Sequence, residues 1–243
     1  MLSIFKKEIN LFFSSLIAYI AIGVFLLSLG LFMWVFPETS LLDYGFASMN
    51  GFFSFAPNIF MFLIPAITMR SFAEETQTGT IELLATKPLT DLDIILGKFF
   101  ACLVLVLFAL LPTLLYYFTI YQLGAPKGNI DAGEVAGSYI GLFFLAASFV
   151  AIGLFSSSIT KNQIVAFILG MFMCFFFFMA FDFLSGLPIF FAKLDDFVQM
   201  LGINYHYNLI SRGAIDSRDV IYFLSIISVF LLFTKTALER RKW

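Results

Sequence analysis

Charge is what this chain has least of. Of its 243 residues, 12% are charged and 61% hydrophobic, where a soluble domain carries about 25% and about 45–50%. The mean hydropathy is +0.98, and a water-soluble fold of this size cannot hide so much apolar surface. A cytosolic enzyme, a nucleic-acid-binding protein and a disordered chain are excluded. The net charge of -2 leaves no polybasic signal for nucleic acid or anionic lipid. Cysteine is scarce as well. Cys102 and Cys174 both lie inside apolar runs, so they imply neither a disulfide framework nor a metal site.

Catalytic and energising motifs are missing too. There is no H-E-x-x-H, no G-x-S-x-G and no paired-carboxylate arrangement. His206 is the single histidine, and one imidazole makes neither a metal centre nor a proton relay. Gly97-Lys98 is followed by Phe99 and lacks the upstream glycine of a phosphate-binding loop, so the chain does not hydrolyse nucleotide itself. An ion-driven carrier calls for midplane ligands. Only Asp182 sits within an apolar run, near the end of its span, where it reads as an interfacial carboxylate. Energy for any work therefore comes from a partner.

What the chain does have is length in its apolar runs. A helix rising about 1.5 Å per residue crosses the hydrocarbon core in about 20 residues. Charge-free stretches of that size run Ser15–Phe36, Tyr44–Met69, Phe99–Pro126, Val135–Thr160 and Asn162–Phe181. A sixth, Val220–Leu238, is short and carries Lys235 near its end, where a lysine can snorkel. Outer-membrane barrels alternate apolar and polar residues in short segments, which these runs do not. The reading is a single all-α integral membrane domain over residues 1–243, with six transmembrane helices.

Lysine and arginine set the orientation. With the N-terminus inside, ten of them face the cytoplasm, and only Lys127, Lys193, Arg212 and Arg218 face outward. That bias places both termini in the cytoplasm. The first span has about 22 residues and no small-x-small cleavage site after it, so it reads as a retained signal anchor. Ahead of it, Leu2–Ser14 is amphipathic. Leu2, Phe5, Ile9, Phe12 and Phe13 recur at helical spacing, while Lys6, Lys7, Glu8 and Asn10 take other faces. It reads equally as a helix lying in the membrane plane or as the straight start of span one. Gly137 with Gly141, and Ala147 with Ala151, form small-xxx-small pairs expected to pack against a neighbouring span of the same chain.

The informative polar segment is Arg70-SFAEETQTGTIELLATKPLTDLDIILG-Lys98, with three basic and five acidic residues on the side that should be positive. Lipid headgroups repel such a face, so a protein surface is the expected contact, and a solvated acidic loop is the bland alternative. Arg70–Thr76 continues span two, Gly79 breaks it, Thr80 caps a short helix Ile81–Thr86, and Pro88 stops that helix. Thr90 with Asp93 reads as the capping box that opens span three.

The pattern R-S-F-A-E-E-x-x-x-G-T-I-E-L-L-x-T-x-P-L, then I-L-G-K-F, resembles the ABC-2 type permeases of ATP-binding-cassette exporters. So do His206-YNLISRG-Ala214-IDSRD-Val220-IYF and the final LERRKW, with a particular likeness to gliding-motility-associated permease subunits. The resemblance implies the ABC-2 permease fold in the bacterial inner membrane. It also implies a second permease subunit, identical or related, and a cytoplasmic ABC ATPase subunit that binds ATP and magnesium; this chain needs no cofactor of its own. Residues 70–98 become the coupling segment, in which Glu74, Glu75, Gly79, Thr80, Glu82, Leu83, Leu84 and Pro88 meet the ATPase. Leu83 and Leu84 are expected as apolar anchors, and the three glutamates as partners of basic residues. Lys161, in the loop Ser156–Gln163, is implied as a second contact. Residues 1–14 become a connecting helix, and residues 186–218 half-buried helices outside, held by Asp195, Asp196, Arg212, Asp216, Arg218 and Asp219. A channel or secondary transporter, and a non-transporting scaffold, are the alternative classes.

Overall fold

In lipid a backbone must satisfy its own polar groups, and a helix does so within one segment. The computed structural model describes residues 1–37, 39–41, 45–80, 89–186, 193–213 and 215–240, and the described residues contain no strand. In chain order the helices are α1 (Leu2–Ser14), α2 (Leu16–Trp34), α3 (Asn50–Thr68) and α4 (Arg70–Gln77). Next come α5 (Asp91–Leu110), α6 (Leu114–Leu123), α7 (Ala132–Ile159) and α8 (Gln163–Phe175). The last are α9 (Phe181–Ser185), α10 (Lys193–Gln199), α11 (Ile203–Ile210) and α12 (Ser217–Glu239).

Among the described residues five helical segments are long and apolar enough to cross a membrane: Asn50–Gln77, Asp91–Leu123, Ala132–Ile159, Gln163–Ser185 and Ser217–Glu239. The sixth candidate is the α1–α2 pair, which bends by 68° between its two parts. Across that bend α1 does not continue α2 in a straight line. Span two runs through Met69, whose N–H bonds to the Pro65 carbonyl at 2.9 Å, so α4 prolongs α3. Span five passes through a π turn at Phe176–Ala180 before α9.

The core is built around α7. It packs against α3, α4, α5, α8, α11 and α12, and 78% of its most apolar window is buried, against 17% for Ser217–Glu239. Its small residues permit this. A Cβ on Gly153 would stand 2.1 Å from Thr68 Oγ1, so α3 and α7 cross at a distance only a hydrogen allows. A Cβ on Gly137 would stand 2.9 Å from Gly213 Cα, and one on Gly141 3.3 Å from Ile210 Cγ2. This small-residue pair does pack within the chain, but its neighbour is the short helix α11 and its exit turn rather than another span.

Local signals position the ends. Gly79 adopts φ +73°, which turns the chain away after α4. The Asp93 N–H donates to Thr90 Oγ1 at 3.2 Å and the Thr90 N–H to Asp93 Oδ2 at 3.3 Å, a capping box at the start of α5. Asn162 caps α8 by accepting the Ile164 N–H at 2.9 Å. The expected helix Ile81–Thr86, with Pro88 after it, lies outside the described residues.

Candidate functional site

A lysine inside an apolar helix is expensive to bury unless its charge is met. Lys98 lies two turns into α5 with 1% of its surface exposed. Its Nζ donates to Glu8 Oε1 of α1 and to the Ser71 carbonyl of α4, both at 2.7 Å. Glu75 Oε1 of α4 lies 2.9 Å away, and the Phe72 ring centre 5.1 Å away. Lys7 of α1 donates to the same Glu75 oxygen at 2.7 Å, which makes two cations facing two carboxylates. Half-burial pulls the Lys7 ammonium down, but its hydrogen bond to Glu75 and the charges of Glu75 and Glu8 more than offset this and hold it above the ordinary lysine range. One buried cation thus fastens three helices.

Two further groups brace α4. Arg70 grips Glu74 one turn on, with Nε 2.8 Å from Oε2 and Nη2 3.3 Å from Oε1, while Nη1 donates to Ser15 Oγ at 3.2 Å in the α1–α2 bend. Ser157 of α7 accepts the N–H groups of Phe72 and Ala73, each at 3.0 Å, and donates to the Met69 carbonyl at 2.9 Å. A single hydroxyl therefore ties the joint between α3 and α4 to the core helix. Between α1 and α4 opens a cavity of about 410 Å³ with Leu11, Phe12, Arg70, Glu74 and Thr78 in its wall and Lys98 at its floor. Glu75 Oε2 beside it is buried without a hydrogen-bond partner among the described residues, and the cavity has room for the water such an oxygen takes.

At the opposite end of the bundle, His206 Nδ1 lies 2.6 Å from Asp219 Oδ1 and Nε2 2.9 Å from the Met200 carbonyl. Its ring stacks on Tyr222 with centroids 3.8 Å apart. Asp216 caps α12 by accepting the Arg218 N–H at 3.0 Å, and Asp182 accepts from the Asn204 amide.

A family model described as ABC-2 family transporter protein matches residues 3–242. The chain belongs to the ABC-2 transporter family. It is a multi-pass membrane protein by that membership and by its apolar helices. No curated protein matches it significantly.

The expected site residues of this ABC-2 protein fall into three groups. Glu74 is half-buried within α4 against Arg70, and Gly79 and Thr80 are exposed just beyond that helix, with Thr80 Oγ1 3.0 Å from Thr78 Oγ1. Lys161 is exposed in the turn joining α7 and α8, both of which α4 packs against. Glu82, Leu83, Leu84 and Pro88 lie outside the described residues. Glu75 lies on another face of α4. Successive residues of a helix point about 100° apart, so with Glu74 outward Glu75 turns inward onto Lys7 and Lys98. Both carboxylates have partners within the chain, Glu75 in Lys7 and Lys98 and Glu74 in Arg70.

Sequence reasoning missed Glu8, Lys98 and Ser157. The periodicity of α1 put Glu8 on a polar face, yet Ile4 and Glu8, one turn apart, are its two buried residues. A signal was present in Lys98, an isolated cation eight residues into a long apolar helix. Nothing in the local sequence pairs it with a glutamate 90 residues earlier.

Proposed function

We propose that this ABC-2 protein is one of two permease subunits of an ATP-driven exporter, and that a separate cytoplasmic ATPase docks on α4 and the residues that follow it. The observation that carries the reading is the way α4 is held. It prolongs span two, yet Glu75 binds it to α1 and α5, Arg70 to the α1–α2 bend and Ser157 to α7. A force applied to α4 therefore reaches most of the bundle. Glu74, Gly79, Thr80 and Glu82 form the docking face in this reading, Leu83 and Leu84 the apolar anchors ahead of Pro88, and Lys161 a second contact. Glu75 acts as the joint behind that face. ATP and magnesium belong to the partner, and the work of this chain is mechanical.

In this proposal both termini and the docking face lie in the cytoplasm of a bacterial inner membrane. A second permease chain completes the transporter, and the gliding-motility likeness favours a related rather than identical one, with envelope work as the output. The double variant Glu74→Lys, Glu82→Lys tests the docking. Like charges brought face to face are expected to cut recovery of the ATPase with the tagged permease by about tenfold or more, with insertion unchanged. Undiminished co-purification overturns the proposal. Orientation is tested by an impermeant maleimide added to spheroplasts carrying Lys127→Cys or Lys161→Cys, both exposed positions. Labelling of the first alone is expected, and the reverse pattern inverts the assignment.

A further inference from the structure

Span two carries Pro57 and Pro65 inside α3. A proline has no N–H, so the carbonyl four residues before it loses its helical donor. For Pro57 that carbonyl belongs to Phe53. The hydroxyl of Tyr207, from α11 at the far end of the bundle, donates to it at 2.7 Å. Tyr207 is 3% exposed, and the Phe178 ring of the π turn lies 6.4 Å away, centre to centre. The same short helix reaches three other spans. Asn204 donates to Asp182 of α9, His206 meets Asp219 of α12, and the backbone at Ile210 abuts Gly137 of α7.

The geometry points to Tyr207 as a positioning residue that fixes the bend of span two at Pro57 and passes a displacement of α4 to the far end of the bundle. This inference rests on the ATP-driven reading above. The donor that completes the broken helix comes from a different element, so the bend of α3 and the seat of α11 are set together. Neither can change while the bond holds without moving the other. Removing the hydroxyl leaves the Phe53 carbonyl without a donor in apolar surroundings, and α3 becomes free to change its bend while α11 stays in place.

The test uses the native complex captured through a tag on this chain and placed in nanodiscs. Spin labels at Gln77 and Lys161 report on the α4 end, and labels at Lys127 and Arg212 on the far end, with ATP and vanadate as the probe. In the otherwise unchanged chain both distances are expected to shift. With Tyr207→Phe the first shift persists and the second is lost. Adding Pro57→Ala to Tyr207→Phe returns a backbone N–H to the Phe53 carbonyl, so thermal stability recovers while the far-end shift stays lost. A far-end shift that survives Tyr207→Phe overturns the inference, as does one that returns with stability in the double variant. If neither pair moves in the chain with Tyr207 intact, the ATP-driven reading itself fails.

Discussion

Lys98→Ala is expected to destabilise the protein by about 3–5 kcal/mol, because it removes the cation from beneath two carboxylates that stay buried. Glu8 is 2% exposed and Glu75 9%. Lys7, about half exposed, lies 3.8 Å from Glu8 Oε1 and cannot take over both partners. The loss concentrates on α1, whose attachment to α5 has Glu8 at its centre, so protease cleavage of the N-terminal helix should rise along with the fall in thermal stability. The triple variant Lys98→Met, Glu8→Met, Glu75→Met is expected to recover most of the loss, since apolar residues of similar volume often replace a buried ion group at little cost. Thermal unfolding in detergent with a protease readout decides the matter. A Lys98→Ala protein within about 1 kcal/mol of the original, the range of an exposed pair, would refute the buried cluster.

Gly137→Leu is the second large effect. A Cβ there would lie 2.9 Å from Gly213 Cα and 3.0 Å from the Ile210 carbonyl oxygen. Both are backbone atoms and cannot rotate aside, so α11 must leave α7. Overpacking of this kind costs about 1–3 kcal/mol for small additions, and a leucine should exceed that range. The bond from Tyr207 to Phe53 goes with it, because α11 carries the tyrosine. A graded series makes the point sharper. Gly137→Ala should destabilise more than Gly141→Ala, whose added carbon meets only side-chain atoms of Ile210 and Tyr207 at 3.3–3.5 Å. Gly23→Ala, with nothing within 4 Å, should be neutral or stabilising by up to about 1 kcal/mol through helix propensity. Any other order of melting temperatures sinks the account of the α7–α11 contact.

What could be read from the sequence was local. The apolar runs gave the spans, because hydropathy over about 20 residues has few other meanings in a chain this poor in charge. Gly79 and the Thr90–Asp93 box were legible for the same reason, since their chemistry is complete within four residues. The family pattern at 70–98 assigned Glu74 and Glu75 alike. Only the rotation of α4 against α1 and α5 separates them, and that rotation is a property of packing. The link between Glu8 and Lys98 was hidden for a related reason. It joins two helices through a single atom pair, and neither helix advertises the other. Tyr207 stood inside a recognisable block, but its task depends on a proline 150 residues earlier.

The three bonds of the Ser157 hydroxyl have a mechanical meaning. They hold span two at one point, Met69 to Ala73, against the helix that is most deeply packed. That point lies between unequal arms: from Ser71 at its centre the helix runs about 9 Å to Gln77 on one side and about 32 Å to Asn50 on the other, at about 1.5 Å per residue. A rigid turn about it would carry the long end through roughly three and a half times the distance of the short end, in the opposite sense. On the ATP-driven reading proposed above, a small stroke at the α4 end becomes a larger excursion at the opposite end of the bundle.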